Sequence, residues 1–302
     1  MITIGSAPDS WGVWFADDPA QTSADRFLGE VKAAGYDWIE LGPYGYLPPD
    51  PVELQDALQA HGLRVSAGTV FSALHRPDSW DAVWRQVTDV ASLTRAVGGQ
   101  HIVVIPDLYR HHKTGENLES PTLTADQWTK LTTDTNELGR RILDEYGLKL
   151  QFHSHADSHI GYQRDIERFL ADTDPRYVNL CLDTGHVAYY GGDSLELIAR
   201  YPERIGYLHL KQVDPEIAKQ VEAEDLVFPE AVRRGVMCEP PNGVPDLGAV
   251  LDAVGALDAD LYAIVEQDMY PCEPERPLPI ARRTHTYLAG CSGAPVSIGT
   301  PS

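Results

Sequence analysis

Residues 177–213 read YVNLCLDTGHVAYYGGDSLELIARYPERIGYLHLKQV and contain two short apolar runs separated by an amphipathic segment. The runs Tyr177–Asp183 and Ile205–Val213 have the length and the β-branched or aromatic content of strands, whereas Ser194–Tyr201 has helical spacing. A strand, a helix and a strand in this order predict two parallel strands joined by a crossover helix.

The same alternation extends over the whole chain. The predicted strands are Thr3–Ala7, Trp38–Gly42, Arg64–Val70, His101–Asp107, Lys149–His155, Tyr177–Asp183, Ile205–Val213 and Leu261–Asp268. The predicted helices are Ala24–Ala34, Pro51–His61, Asp78–Val97, Thr124–Tyr146, Tyr162–Ala171, Ser194–Tyr201, Pro215–Arg234, Asp246–Val254 and Pro279–Ala289. Eight strands, each followed by helical sequence, predict a (β/α)₈ TIM barrel.

We expect a single domain over residues 1–290, because no linker or shift in composition divides the chain. Residues 291–302, which are small and polar, are expected to form a flexible C-terminal tail. A doubly wound open sheet is the alternative fold. It is disfavoured because no GxGxxG turn follows the first strand.

The charge of the chain excludes some classes of partner. Lys and Arg number 24 against 45 Asp and Glu, which gives a net charge of −21. Because affinity for nucleic acid comes mostly from cations that neutralise phosphates, we expect no nucleic-acid partner, and an anionic membrane surface is disfavoured for the same reason. The acidic surface does not prevent a homo-oligomer, and the oligomeric state stays open.

The distribution of apolar residues and cysteines favours a cytoplasmic location. No apolar run approaches the roughly 20 residues that a membrane span needs. The start, MITIGSAPDSWG, lacks the basic and apolar regions of a secretory signal. The four cysteines are scattered without a CxxC pair, so we expect neither a disulfide scaffold nor a clustered zinc site.

Titratable residues gather where the predicted strands end, which is where TIM barrels carry their chemistry. These residues are Glu40 on strand two, His153 and His155 on strand five, Asp183 and His186 on and after strand six, His209 and Lys211 on strand seven, and Glu266 on strand eight. Side chains alternate along a strand, so the two histidines of strand five share a face.

Carboxylates and imidazoles that converge from several strands suit a divalent ion such as Mn, Co, Mg or Zn. A single strand-end histidine is more often structural, and Asp183 could simply cap the next helix. The combination on several strands is therefore the basis of the prediction. Trp11 and the aromatic residues around it follow strand one and could line the pocket. His111 and His112, in a charged loop, are expected to be solvated or to belong to a lid.

Three motifs resemble the xylose isomerase-like TIM-barrel superfamily of sugar isomerases and epimerases. They are Leu182-Asp183-Thr184-Gly185-His186, His209-Leu210-Lys211 and Val265-Glu266-Gln267-Asp268. Within the superfamily the chain is most similar to the inosose (2-keto-myo-inositol) dehydratases of inositol catabolism, whose first strand and turn resemble Ile4–Trp11. The resemblance extends from about Ile2 to Leu288.

The resemblance implies a metal site. In the superfamily a Glu, an Asp, a His and a Glu on strands five to eight usually hold the ion, and Asp183, His209 and Glu266 match the last three. The slot on strand five is filled here by His153 or His155. Because the epimerases of the superfamily use two metal-bound glutamates, this departure favours elimination of water, and the dehydratases also carry His-x-His at this place.

The expected reaction is therefore elimination of water from a 2-keto-polyol through an enediolate stabilised by one divalent metal ion. His153 or His155 would handle the proton, Glu266 would be a ligand and a second base, and Lys211 would stabilise negative charge. His186, Lys211 and Trp11 would contact the polyol or keto-sugar substrate, and Glu40 would either contact it or lie behind the metal ligands. A metal-dependent keto-sugar isomerase or epimerase is one alternative, and a non-catalytic sugar-binding or partner subunit is another.

Overall fold

Eight parallel strands close into a barrel in the computed structural model, which describes residues 1–291 and 296–299. The barrel strands are β1 (Ile2–Ser6), β2 (Trp38–Glu40), β3 (Arg64–Ser72), β4 (His101–Pro106), β5 (Lys149–His153), β6 (Val178–Asp183), β7 (Ile205–Leu210) and β10 (Leu261–Val265). Neighbouring strands pair in this order, and β10 pairs with β7 on one side and with β1 on the other. The predicted TIM barrel is confirmed.

Helices follow the strands and cover the outside of the barrel. They are α1 (Ala24–Ala34), α2 (Pro51–His61), α3 (Trp80–Ala96), α4 (Ala125–Tyr146), α5 (Gln163–Asp172), α6 (Thr184–Tyr189), α7 (Ser194–Arg200), α8 (Pro215–Ala223), α9 (Phe228–Arg233), α10 (Leu247–Gly255) and α11 (Pro277–Gly290). Local sequence sets several of their ends. For example, Thr124 and Gln127 form a capping box at the start of α4, and Gly147 ends that helix at φ 69°.

Two predicted elements between residues 205 and 234 differ in the structure. The expected strand Ile205–Val213 ends at Leu210, and Gln212–Val213 forms β8, which pairs antiparallel with β9 (Met237–Cys238) outside the barrel. The expected helix Pro215–Arg234 is broken into α8 and α9, with Asp225 between them at φ 50°. These residues therefore form an excursion that reaches over the carboxyl ends of the strands.

The predicted tail, residues 291–302, lies mostly outside the described residues. Within it, Val296–Ser297 forms β11, which pairs parallel with β1. The carbonyl of Gly299 accepts a hydrogen bond of 2.9 Å from Nε2 of His285 on α11. In the described ranges, no helix has both the length and the apolar character needed to cross a bilayer.

The main hydrophobic core lies between the barrel strands and the surrounding helices, whereas the barrel interior is partly polar. Inside it, Gln151 and His101 are hydrogen-bonded at 2.9 Å, and Ser66 and the Tyr207 hydroxyl at 2.7 Å. All four side chains are buried. These pairs connect polar groups beneath the strand ends, and Gln151 Oε1 is left without a hydrogen-bond partner among the described residues.

Candidate active site

A cavity of about 390 Å³ opens at the carboxyl ends of the barrel strands. Its lining includes Glu40, His153, His155, His186, Lys211 and Glu266. These residues lie on or just after five different barrel strands, and closure of the barrel brings them together. This is the end of the barrel at which the sequence predicted the chemistry. The cavity lies within the volume range that is usual for small-molecule sites.

Four side chains form a group that could hold a metal ion, and two of them, His153 and Glu266, line the cavity. His153, Asp183, His209 and Glu266 each offer one ligand atom, and these atoms all lie within 4.8 Å of one another. His153 Nε2 is 3.2 Å from Asp183 Oδ2, and His209 Nδ1 is 3.0 Å from Glu266 Oε2. The first three side chains are buried, and Glu266 is 10% exposed.

Strand register and one helix cap produce this arrangement. Asp183, at the end of β6, is paired directly with His209 on β7, and His153 on β5 is paired with Cys181 on β6. Asp183 also caps α6, because its Oδ1 accepts a hydrogen bond of 2.8 Å from the backbone N–H of His186. Capping and ligation are thus compatible, since Oδ2 of the same carboxylate points toward the ligand group.

Two buried ring nitrogens in this group are available to bind a cation. Nδ1 of His153 and Nδ1 of His209 are buried and have no hydrogen-bond partner among the described residues. His209 Nδ1 is the atom that faces Asp183 and Glu266. A donor set of two imidazole nitrogens and two carboxylates suits zinc, manganese or cobalt chemistry.

Glu40 lies behind the ligand group. Its Oε2 is 3.0 Å from Nε2 of His209 and 3.3 Å from the Tyr207 hydroxyl, and its Oε1 accepts a hydrogen bond from Thr69. When His209 is neutral and donates its Nε2–H to Glu40, the lone pair of Nδ1 faces Asp183 and Glu266. A carboxylate on the far nitrogen is the usual partner of a metal-ligating histidine.

Lys211 is surrounded by carboxylates. Its Nζ lies 2.8 Å from Asp268 Oδ2, 3.0 Å from Glu266 Oε2, 3.3 Å from Asp183 Oδ2 and 3.7 Å from Asp9 Oδ2. Burial opposes its charge, but these carboxylates raise the pKa of Lys211 well above its ordinary value. Burial and the Glu266 carboxylate raise the pKa of Asp9. Negative charge therefore exceeds positive charge here, which is the electrostatic condition for binding a further cation.

His155 and His186 form a second pair beside the ligand group, with ring centroids 4.1 Å apart. The Ala156 carbonyl, 2.7 Å away, accepts the Nδ1–H of His155, and the Ala156 N–H donates to Nδ1 of His186 at 3.1 Å. His155 thus keeps the lone pair on Nε2, whereas neutral His186 carries its proton on Nε2. Burial, with the nearby His153, lowers the pKa of His155 to about 3. Burial also lowers the pKa of His186.

The structure does not bring Trp11 to the cavity. Its ring is fully buried against Phe27 at 5.1 Å, and its Nε1–H donates to Glu30 Oε2 at 2.9 Å. The short helical turn Pro8–Trp11 directs this side chain back onto α1. Trp14, three residues further on, lines the cavity instead and donates to Asp268 Oδ1 at 3.2 Å.

Several lining residues were not among the predicted site residues. Asp9, Asp268, Thr69 and Phe228 all face the cavity, whereas Trp14, which also lines it, was among the aromatic residues near Trp11 that were expected there. Asp9 and Asp268 had a signal, since each stands in or next to a strand-end motif. Phe228 had none, because it comes from the excursion between β8 and β9. His111 and His112 line the cavity as well, and His112 is exposed to solvent.

A second group, His75, Glu119 and His159, also has metal-ligand chemistry but is already satisfied by neighbours. Glu119 Oε1 is 2.9 Å from both His75 Nε2 and a guanidinium nitrogen of Arg76, and His159 Nε2 is 2.9 Å from the Ser120 carbonyl. The Arg76 charge opposes a cation at this place. The group instead ties together three loops at the rim of the barrel.

A barrel of this type with a two-histidine, two-carboxylate group at its strand ends defines a class of metal-binding barrel enzymes. The family model for the xylose isomerase-like TIM barrel matches residues 28–288, and the chain belongs to this family. The resemblance seen in the sequence is thereby confirmed, as is the expectation of an enzyme of the dehydratase or isomerase/epimerase kind.

The similar proteins include two curated bacterial relatives. The rhizopine catabolism protein MocC of Rhizobium meliloti is 28% identical over 287 residues, covering 93% of this chain and 86% of the relative. An inosose dehydratase of Bacillus velezensis is 27% identical over 295 residues, covering 94% and 97%. Among solved structures, the IolI protein with a bound zinc atom has a TM-score of 0.71 at 15% identity, covering 96% and 98%.

Proposed function

We propose that this chain is a metal-dependent hydro-lyase that removes water from a 2-keto-polyol, with 2-keto-myo-inositol as the reference substrate. The observation that carries the proposal is the imidazole of His153, whose Nε2 lies 3.2 Å from Asp183 Oδ2 and which belongs to one ligand group with Asp183, His209 and Glu266. Beside it, His155 keeps an unprotonated Nε2. The inosose dehydratases among the relatives support the same chemistry.

His153, Asp183, His209 and Glu266 would hold one divalent ion, of which zinc, manganese, cobalt and magnesium are candidates. The unpartnered Nδ1 of buried His209 supports this ligand set. When bound, the ion acts as a Lewis acid toward a ketone oxygen, which acidifies the adjacent C–H bond.

His155 is the group we assign to proton transfer. Its Nε2 takes the proton from the carbon next to the ketone, and the C–H electron pair becomes the enediolate. The imidazolium so formed then gives that proton to the hydroxyl on the next carbon. The C–O bond breaks, water leaves, and a carbon–carbon double bond conjugated with the ketone remains. One imidazole thus serves as base and then as acid.

Lys211 and His186 hold the substrate during this step. The Lys211 ammonium, fixed by Asp268 at 2.8 Å, donates hydrogen bonds to oxygens that become negative. His186 presents Nε2–H, because its Nδ1 accepts the Ala156 N–H, and it orients a substrate hydroxyl. Glu40 acts through His209 and does not need to touch the substrate.

A matched pair of variants on β5 and the residues that follow it tests these assignments. His153→Gln should weaken metal binding to the metal-free protein, whereas His155→Gln should retain metal binding and lose about 10²–10⁴-fold in kcat on 2-keto-myo-inositol. Metal affinity is measured by competition with a chromophoric chelator, and turnover by the ultraviolet absorbance of the unsaturated product. Full turnover in His155→Gln would contradict the proton-transfer assignment.

Turnover in D₂O separates elimination from the isomerase or epimerase alternative. A dehydratase gives an unsaturated ketone and releases water. An epimerase instead gives a saturated ketone that carries deuterium at the carbon next to the carbonyl. A metal-loaded protein that yields only the second product would overturn the proposed elimination and retain the metal site.

A further inference from the structure

Aromatic rings form a continuous wall from the proton-transfer histidine to the mouth of the cavity. The His155 ring lies 5.2 Å from Phe228, Phe228 is stacked near Trp14 at 6.2 Å, and Trp14 is stacked on Tyr270 at 5.1 Å. Tyr270 in turn meets Phe15 edge-on at 5.3 Å. Phe228, Trp14 and Phe15 all line the cavity, so one side of it is aromatic.

Large apolar side chains at the mouth of the cavity are exposed. Phe15 is 39% exposed, Phe71 47% and Leu118 61%, and all three line the cavity. They come from the loop after β1, from the end of β3 and from the loop after β4, so the tertiary structure brings them together. Exposed apolar groups that converge on one concave site mark a binding surface, because leaving them in water is unfavourable.

The cationic side chains that line the cavity are not placed to bind an anionic substituent. Arg110 lines the cavity, but its guanidinium is bonded to Asp225 Oδ1 at 3.1 Å and to the Gly115 carbonyl at 3.1 Å. Lys211 is occupied by carboxylates, among them Asp268. Lys211 lies beside the metal ligands, at the ring end of the cavity, so a phosphate or carboxylate on the substituent would meet no unpaired Lys or Arg among the described lining residues.

We propose that the substrate carries an uncharged apolar substituent, which the wall of rings favours to be aromatic. This substituent lies along the wall while the keto-polyol ring faces the metal ligands. The assignment of the ring end rests on the proposed function. The outer half of the cavity, from Phe228 to Phe15, binds the substituent by burying its apolar surface and by ring stacking. The volume of about 390 Å³ is in the range of sites for ligands larger than a single polyol ring.

Equilibrium binding tests this inference without turnover. Metal-loaded protein is titrated by calorimetry with myo-inositol and with a mono-O-benzyl-myo-inositol, neither of which has the ketone that elimination needs. We expect the benzyl compound to bind at least about tenfold more tightly, as is usual for an apolar group that fills an apolar pocket. Phe15→Ala should reduce this ratio. Tyr44→Ala, which removes another exposed ring (41%) that does not line the cavity, should leave the ratio unchanged.

Equal or weaker binding of the benzyl compound would overturn the inference. It would also be overturned if the protein were an oligomer that dissociates in Phe15→Ala, because a second copy of the chain would then cover the mouth. The proposed function fails separately, when 2-keto-myo-inositol and its mono-O-benzyl ether both remain unchanged by the metal-loaded protein. Preference for the benzyl polyol in the binding experiment would still support the inference in that case.

Discussion

Replacement of Glu40 by glutamine tests the carboxylate behind the candidate metal ligands. The side chain is 2% exposed, and its Oε2 is 3.0 Å from His209 Nε2. Glutamine keeps the shape and removes the charge. It also presents an amide whose N–H₂ group competes with the hydrogen bonds now accepted from His209, Tyr207 and Thr69.

The expected effect is on metal affinity. Loss of a carboxylate partner of a ligating imidazole typically weakens metal binding about 10–100-fold, because the imidazole becomes less basic and its tautomer is no longer fixed. This corresponds to about 1.4–2.7 kcal/mol of binding free energy. Glu40 itself does not belong to the four-residue ligand group, so binding should be weakened and not abolished.

The assay is competition of the metal-free protein with a chromophoric chelator for Zn²⁺ and, separately, Mn²⁺. Glu53→Gln removes an exposed carboxylate from α2 and is the matched control, with unchanged affinity expected. Circular dichroism and thermal unfolding of both variants establish that they are folded. An unchanged dissociation constant in folded Glu40→Gln would refute the role of Glu40 in orienting His209.

Two further predictions concern residues beneath and beside the cavity. Burial lowers the pKa of His101 to about 4 from 6.5, so this histidine is neutral in the native barrel and takes up a proton on unfolding below about pH 6.5. The free energy of unfolding should therefore fall by up to about 3 kcal/mol as the pH is lowered from about 6.5 to about 4. His101→Asn keeps a hydrogen-bond acceptor for Gln151, and its free energy of unfolding, measured by urea titration, should depend less on pH. Parallel pH profiles of the variant and the wild type would contradict this prediction. At Gly185, an added Cβ would lie 2.5 Å from Cγ of Lys211. Gly185→Ala should displace the Lys211 stem and lower kcat at least about tenfold, since misplaced groups at a reacting centre are costly; wild-type kcat on 2-keto-myo-inositol would show that this close approach is not required.

Much of the architecture could be predicted because it depends on local patterns. The period of the apolar residues, the glycines after helices and the strand–helix alternation are each readable within short windows, and together they determine a parallel barrel. Once the barrel is known, the direction of its strands places their ends on one face. His153, Asp183, His209 and Glu266 could therefore be selected as a group, and the structure brings them within 4.8 Å of one another.

Other features depend on contacts that no short window contains. Lys211 directly follows the last residue of β7, and the next residues leave the barrel to pair with Met237–Cys238, so the expected single strand is interrupted. The helix expected after it is broken where the Phe228 N–H donates to Asp157 Oδ2, 2.8 Å away on another loop. Both interruptions result from partners that are distant in sequence, and they bring Phe228 over the cavity.

By itself, the sequence determined the fold class and the strand-end groups. Hydrophobic periodicity can be read within short windows, and the parallel direction of the strands then places their carboxyl ends on one face of the barrel. Only the tertiary structure decided which face each loop side chain takes. Trp11 is turned onto α1 whereas Trp14 faces the cavity, although both follow β1 closely. It also decided that Glu40 contacts His209, 169 residues away, because barrel closure and the burial of charge choose partners across the whole molecule.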